Sequence, residues 1–351
     1  MKLFSRGEKP SWWVSLIPFL ALTSVLVVVI KVFGADALDG ASQVSLLFAA
    51  GVAIAISMIF YRVPWKEFEE GILDNIKSVG TAILILLLIG AVAGSWMVSG
   101  VVTTMIYYGM KVIFPEIFLF AACGISALIS IMTGSSWTTI ATVGVALVGI
   151  GTAQGYDAGW TAGAIISGAY FGDKVSPLSD TTVLAASVTG SSLFSHIRYL
   201  LFTTVPSLVI SLIIFTAAGL MHNAADTGNI AEFTQMLDDK FYISGWLMIV
   251  PIVTGILIAK KVPSLITLFL STMLAIVFAV FFQPDLLAEI AGDAGSQVMT
   301  LIKGAMATLF GSTSLDAGNA QINELIATRG MSGMMDTVWL IICAMCFGGA
   351  M

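Results

Sequence analysis

Apolar runs, each close to the length a helix needs to cross the roughly 30 Å hydrocarbon core of a bilayer, fill most of this chain. Uncharged runs at 11–30, 40–61 and 78–110 each predict one helix, and runs at 199–225, 241–259 and 262–284 predict three more. Trp12, Trp13 and Trp96 are expected as interfacial anchors. The segment 65–77 breaks this pattern: Phe68, Ile72, Leu73 and Ile76 recur at helical spacing among charged positions, which predicts an amphipathic helix lying in the interface.

One run is too long for a single crossing. Residues 117–156 carry no charge, and as one straight helix they would extend about 60 Å. The chain has to turn, and the stretch TGSSWTT at 133–139 is the natural place, because a glycine and five hydroxyl residues interrupt the apolar sequence there. Hydroxyls clustered at membrane depth imply non-helical backbone lining a polar cavity, so a re-entrant hairpin or broken helix is expected over 117–156. The last apolar run, 337–351, is too short to span, and the chain is expected to end inside a helix. Residues 71–94 and 330–351 also align loosely, Gly90 meeting Gly348 and Ile76 meeting Met334, as in a transporter with two inverted repeats whose second copy is incomplete.

Composition agrees with the pattern. The chain is 58% hydrophobic and 10% charged with a mean hydropathy of +0.99, far from a soluble domain. An all-α polytopic membrane protein, one transmembrane domain over 1–351, is therefore expected. The net charge of −6 matters less than the placement of the basic residues. Lys2, Arg6, Lys9, Arg62, Lys66, Lys77, Arg198, Lys260 and Lys261 fall in alternate loops, while 34–40 and 222–239 have no Lys or Arg, which puts the N-terminus in the cytoplasm. The N-terminal apolar stretch lacks a small-residue cleavage site and is expected to stay as the first helix. Cys123, Cys343 and Cys346 lie in apolar runs and read as small hydrophobes.

The chemistry concentrates in SGAYFGDKVSPLSDTT, residues 167–182, within a small-residue-rich segment 163–190. An ionisable side chain in a membrane segment costs about 2.5–3.5 kcal/mol, so Asp173, Lys174 and Asp180 should be paired, hydrated or functional. Ser176, Ser179, Thr181 and Thr182 add hard oxygen ligands, which suit an alkali cation or a proton better than zinc or copper. An aspartate able to hold either one can exchange them. Asp157 and the Asp316/Asn319 loop at 311–319 read as turn and solvated loop, and Glu116 after Pro115 reads as a helix start. No HExxH or GxSxG motif is present and only two histidines occur, so no enzyme is expected.

Three segments, TGSSWTTIATVGVALVGIG (133–151), GAIISGAYFGDKVSPLSDTTVLAASVTG (163–190) and RGMSGMMDTVWLIICAMCFGGAM (329–351), closely resemble the NhaC family of sodium/proton antiporters. The resemblance covers essentially the whole chain. It implies a secondary antiporter of a prokaryotic plasma membrane with inverted repeats and broken helices, exchanging cytoplasmic Na+ for external H+. Carried over by position, it places Ser135, Ser136, Thr138 and Thr139 at the first polar break and Asp173, Ser176, Ser179, Asp180 and Thr181 in the signature segment, with Asp173 and Asp180 as Na+ ligands. Members of the family continue past residue 351 to a second polar signature, and the family includes malate and lactate exchangers. The expected partners are the lipid bilayer, Na+ and H+, with no cofactor and no nucleic acid; a homodimer is among the assemblies left open.

Overall fold

The computed structural model describes residues 10–177, 179, 181–182, 185–186, 189, 191–221, 227–260, 262–292 and 295–351. Lys2, Arg6, Lys9 and Lys261, whose charges set the expected orientation, lie outside them. The regular structure is helical: α1 Trp12–Phe33, α2 Ala41–Tyr61, α3 Trp65–Ser78, α4 Gly80–Val98, α5 Val101–Val112 and α6 Phe118–Thr133. Then follow α7 Ser136–Ala153, α8 Ala158–Val175, α9 Leu193–Met221, α10 Thr227–Lys240, α11 Ile249–Ala259 and α12 Ser264–Phe282. The chain closes with α13 Pro284–Ala291, α14 Gln297–Phe310, α15 Ala320–Ile326 and α16 Met335–Ala350. Among the described residues, 8 helical stretches are long and apolar enough to cross a membrane.

The chain divides into two compact units, one of residues up to Leu87 with Met334–Met351, the other Leu88–Gly333. In the first unit α16 packs on α2 and α3. Glycine permits the contact with α3: a methyl group on Gly71 would sit 2.8 Å from the Gly349 carbonyl oxygen. Phe68 is buried, while Lys66 and Glu70 lie exposed on the other face of α3, 3.7 Å apart.

In the second unit, α6 and α7 form an antiparallel hairpin. At its open end Gln154 Nε2 donates to the Ile113 carbonyl at 2.9 Å and Tyr156 OH donates to the Pro115 carbonyl at 2.8 Å. Burial, and then the Glu116 carboxylate, raise the Tyr156 pKa above the usual phenol value, which keeps that donor protonated. The chain reverses at Gly134, whose φ of 67° is left-handed and favours glycine. Helix α8 then runs parallel to α6. Its Gly168 and Gly172 face the Cys123 and Ala127 carbonyls, so the two helices meet backbone to backbone. Helix α9 follows, with Gly219 against the Glu116 carbonyl at the open end of the hairpin.

Several expectations need correction. The run 78–110 holds two helices, α4 and α5, because Gly100 turns the chain with φ 80° beside the Gln283 side chain. Trp96 is no interfacial anchor: it is 1% exposed, its Nε1 donates to Ser271 Oγ at 2.9 Å, and Ser271 is bonded in turn to Thr254. Trp12 and Trp13 are exposed, at 61% and 64%. The acidic stretch 222–239, read as a loop, contains α10. The last helical stretch begins at Met331, ahead of 337, through a turn that carries Asp336 near the helix start, so it reaches the 20 residues needed to span.

Candidate functional site

Three helix ends meet at the tip of the α6–α7 hairpin. Helix α6 stops at Thr133, its last-turn carbonyls forming the negative end of the helix dipole, and α7 begins at Ser136 with its positive end. Helix α8 delivers Asp173 to the same place, because Gly168 and Gly172 let it lie against α6 until its last turn. Asp173 Oδ2 accepts a hydrogen bond from Ser136 Oγ at 2.9 Å, and its Oδ1 accepts one from Ser179 Oγ at 2.6 Å. One carboxylate thus joins residues from two helices and the segment that follows.

Around that carboxylate the hydroxyls are ordered. Since Ser179 spends its proton on Asp173, the 2.9 Å contact between Ser179 and Thr181 is a donation from Thr181, and the Thr182 amide also donates to Ser179 Oγ. Thr182 Oγ1 lies 3.2 Å from the Asp173 carbonyl and 3.1 Å from that of Lys174, closing the end of α8. Ser176 Oγ donates to the Ile131 carbonyl at 2.7 Å, and Ser130 Oγ to the Ala169 carbonyl at 2.5 Å, tying α8 to α6 at two points. Ser136, Ser176 and Ser179 are buried, Asp173 is half-buried, and Lys174 is exposed.

The nine residues singled out in the sequence therefore divide. Ser136, Ser179 and Asp173 are in direct contact, with Thr181 one bond away. Ser135, Thr138 and Thr139 instead bond to one another: Ser135 Oγ accepts from the Thr138 amide at 3.2 Å and its hydroxyl at 3.1 Å, and Thr139 Oγ1 donates to the Ser135 carbonyl at 3.0 Å. They cap α7 and hold Ser136 in place. Ser176 is an inter-helix tie, and Asp180 lies outside the described residues. The sequence reading gave no role to Ser130 or to Thr142, whose hydroxyl donates to the Thr138 carbonyl beside the wider helical turn Ile140–Gly144. For Ser130 a signal existed in the small residues Gly168 and Gly172, which mark the face of α8 that meets it.

Such an arrangement suits exchange at one carboxylate. Hydroxyl hydrogens rotate, so Ser136 and Ser179 can donate to an ionised carboxylate or turn their lone pairs toward a cation. The nearby carbonyls of α6 and the positive end of α7 supply the mixed polarity seen where broken helices hold ions in transporters. The oxygens gathered here are hydroxyls of Ser136 and Ser179, the Asp173 carboxylate and the last-turn carbonyls of α6, all hard donors.

Residues 168–351 match the family model described as "Na+/H+ antiporter family". The chain belongs to the Na+/H+ antiporter family. The match begins within α8 and includes Asp173, Ser176, Ser179, Asp180 and Thr181, while Ser135–Thr139 lie before it. The chain is 37% identical to the Na+/H+ antiporter NhaC of Alkalihalophilus pseudofirmus over 85% of its own length and 62% of that protein. It is 36% identical to a malate-2H+/Na+-lactate antiporter of Bacillus subtilis over 81% of its length and 58% of that protein. It is 31% identical to the arginine/ornithine antiporter ArcD of Halobacterium salinarum over 99% of its length and 68% of that protein. The chain thus spans about 62% of the length of the first of these antiporters. No solved structure matches it. Family and helices together make it a multi-pass membrane protein of a transporter family.

Proposed function

We propose that this chain forms part of a secondary antiporter that exchanges cytoplasmic Na+ for external H+, with Asp173 as the group that holds either ion. The observation that carries the reading is the Asp173 carboxylate, bonded to Ser136 and Ser179 where three helix ends meet, in a chain of the Na+/H+ antiporter family. Binding of a cation displaces the proton and binding of a proton displaces the cation, so one gradient drives the other. Asp180, with Ser176 and Thr181, belongs to the same proposed site.

Sidedness supports the stated direction. Asp173, Lys174 and the start of α9, with Arg198, share the tip end of the hairpin, whereas Glu116, Asp157 and the end of α9 at Gly219 share the other. By the positive-inside rule the tip opens toward the cytoplasm of a prokaryotic plasma membrane. Lys111 is an exception at the outer end, where its ammonium lies over the Tyr107 ring, 3.9 Å from its centre. The hairpin acts as one arm of an inverted-repeat transporter.

A second reading, a carboxylate antiporter, has the exposed Lys174 beside the site and the malate/lactate relative in its favour. Everted membrane vesicles separate the two. With a proton gradient imposed, sodium alone should collapse it. A response to malate or lactate alone supports the second reading, and silence to all three overturns both.

A further inference from the structure

A hydroxyl on a helix is ordinarily completed by the carbonyl one turn back, as Thr142 is by Thr138 at 2.7 Å, Thr152 by Val148 at 3.0 Å and Thr216 by Leu212 at 2.6 Å. Ser126, in the middle of α6, departs from this. It is 0% exposed, and its Oγ has no hydrogen-bond partner among the described residues. The Ala122 carbonyl stands one turn back and is not used, so the rotamer points the hydroxyl away from its own helix. A buried hydroxyl left without any partner is costly, and native proteins complete such groups with protein or with ordered water.

The hairpin sets the depth of this group. Along an uncharged helix Ser126 stands about 15 Å from Glu116 at the open end and about 12 Å from Gly134 at the tip. On the other arm Thr142 is as many residues beyond Gly134 as Ser126 is before it, inside the wide turn Ile140–Gly144. The Phe118 ring against Gly151 holds the two arms in this register, and α6 packs on the wide turn. A wide turn interrupts the ladder of amide-to-carbonyl bonds, and such interruptions recur where water or a side chain enters a helix. Ser130, one turn from Ser126 on the same face of α6, is tied to the Ala169 carbonyl, and Asp173 lies one turn beyond Ala169 on α8. Ser126 is therefore two turns, about 11 Å, from the level of Asp173 on the side away from the tip.

We propose that Ser126 and the wide turn of α7 hold a buried water between the arms of the hairpin, a station on the route by which protons reach Asp173 from the outer side. A buried water takes two to four polar partners. Ser126 Oγ supplies one, as donor or acceptor, and the wide turn supplies carbonyls, among them that of Thr139, which the Thr142 hydroxyl reaches only at 3.4 Å. The water accepts a proton from the outer side as it passes one toward Asp173, so its own composition is unchanged. The water site stands on the geometry alone; its part in proton delivery rests on the antiport reading.

Two variants of the full chain test this. In Ser126→Cys, a near-isosteric change, hydroxyl radicals made in place by pulsed irradiation of bound water should oxidise the new thiol about tenfold faster than Cys123, which is equally buried one turn back on the same helix. Equal rates overturn the water site. In Ser126→Ala, reconstituted in liposomes, the maximal rate of sodium-driven proton flux should fall about tenfold with the half-saturating sodium concentration unchanged. Flux at the wild-type rate overturns the role in proton delivery, and a raised half-saturating concentration makes Ser126 an ion ligand and overturns it too. Failure of the antiport reading shows elsewhere, as absence of sodium-driven proton movement in the wild type, and leaves the oxidation result to decide the water site by itself.

Discussion

At Asp173 the account reduces to two hydrogen bonds on one carboxylate. A bond to a charged group contributes about 1.5–3 kcal/mol, so Ser136→Ala and Ser179→Ala should each weaken apparent sodium affinity by about 10- to 100-fold, measured as half-saturation of sodium-driven proton flux. Ser135→Ala removes the cap of α7 and should shift thermal stability more than affinity; the opposite pattern would move Ser135 into the site. Asp173→Asn should abolish exchange with the protein still in the membrane, and so should Asp180→Asn. Exchange at the wild-type rate in either variant removes that residue from the site. The carboxylate was legible from sequence because charge is rare in an apolar run. Its partners were not: Ser136 lies 37 positions away, and nothing in the hydroxyl cluster distinguishes the residue that faces Asp173 from the three that cap their own helix.

Helices α6, α7 and α8 owe their arrangement to residues without side chains. A valine at Gly172 would collide with the Ile131 amide nitrogen, 2.5 Å from where its Cβ would sit, and with the Ala127 carbonyl, 2.7 Å away. Gly172→Val should cost about 3 kcal/mol or more by forcing α8 off α6, read as a lowered melting temperature in detergent. Gly163 on the same helix has nothing within 4 Å, so Gly163→Ala should be neutral or raise stability by about 0.5 kcal/mol. Equal effects at both positions would contradict the close approach of α6 and α8. At the tip, Gly134→Ala should cost about 1–2 kcal/mol for a left-handed backbone. That the chain turns near 134 follows from sequence, since an uncharged run over 117–156 cannot cross once. Where α5 begins does not follow, because Gly100 differs from other glycines in apolar runs through its contacts with Tyr242, Leu247 and Gln283, residues far along the chain.

For the whole molecule, the all-helical, polytopic character was readable because the hydrocarbon thickness sets a ruler that any membrane helix obeys, but the helix count was not, since Gly100 splits 78–110 and the last helical stretch begins at Met331. The position of 311–330 was not. Its composition is that of a surface turn, and its contacts with Gly90 and Gly149, through Gly330 and Leu325, join positions far apart in the chain. The central claim is that Asp173 gives up a proton when sodium binds. It is tested most directly by adding sodium to the purified protein in weakly buffered detergent solution and recording the pH, wild type beside Asp173→Asn. The account predicts saturable acidification by the wild type, specific to sodium over potassium and absent from Asp173→Asn. Equal acidification by the two proteins would contradict it.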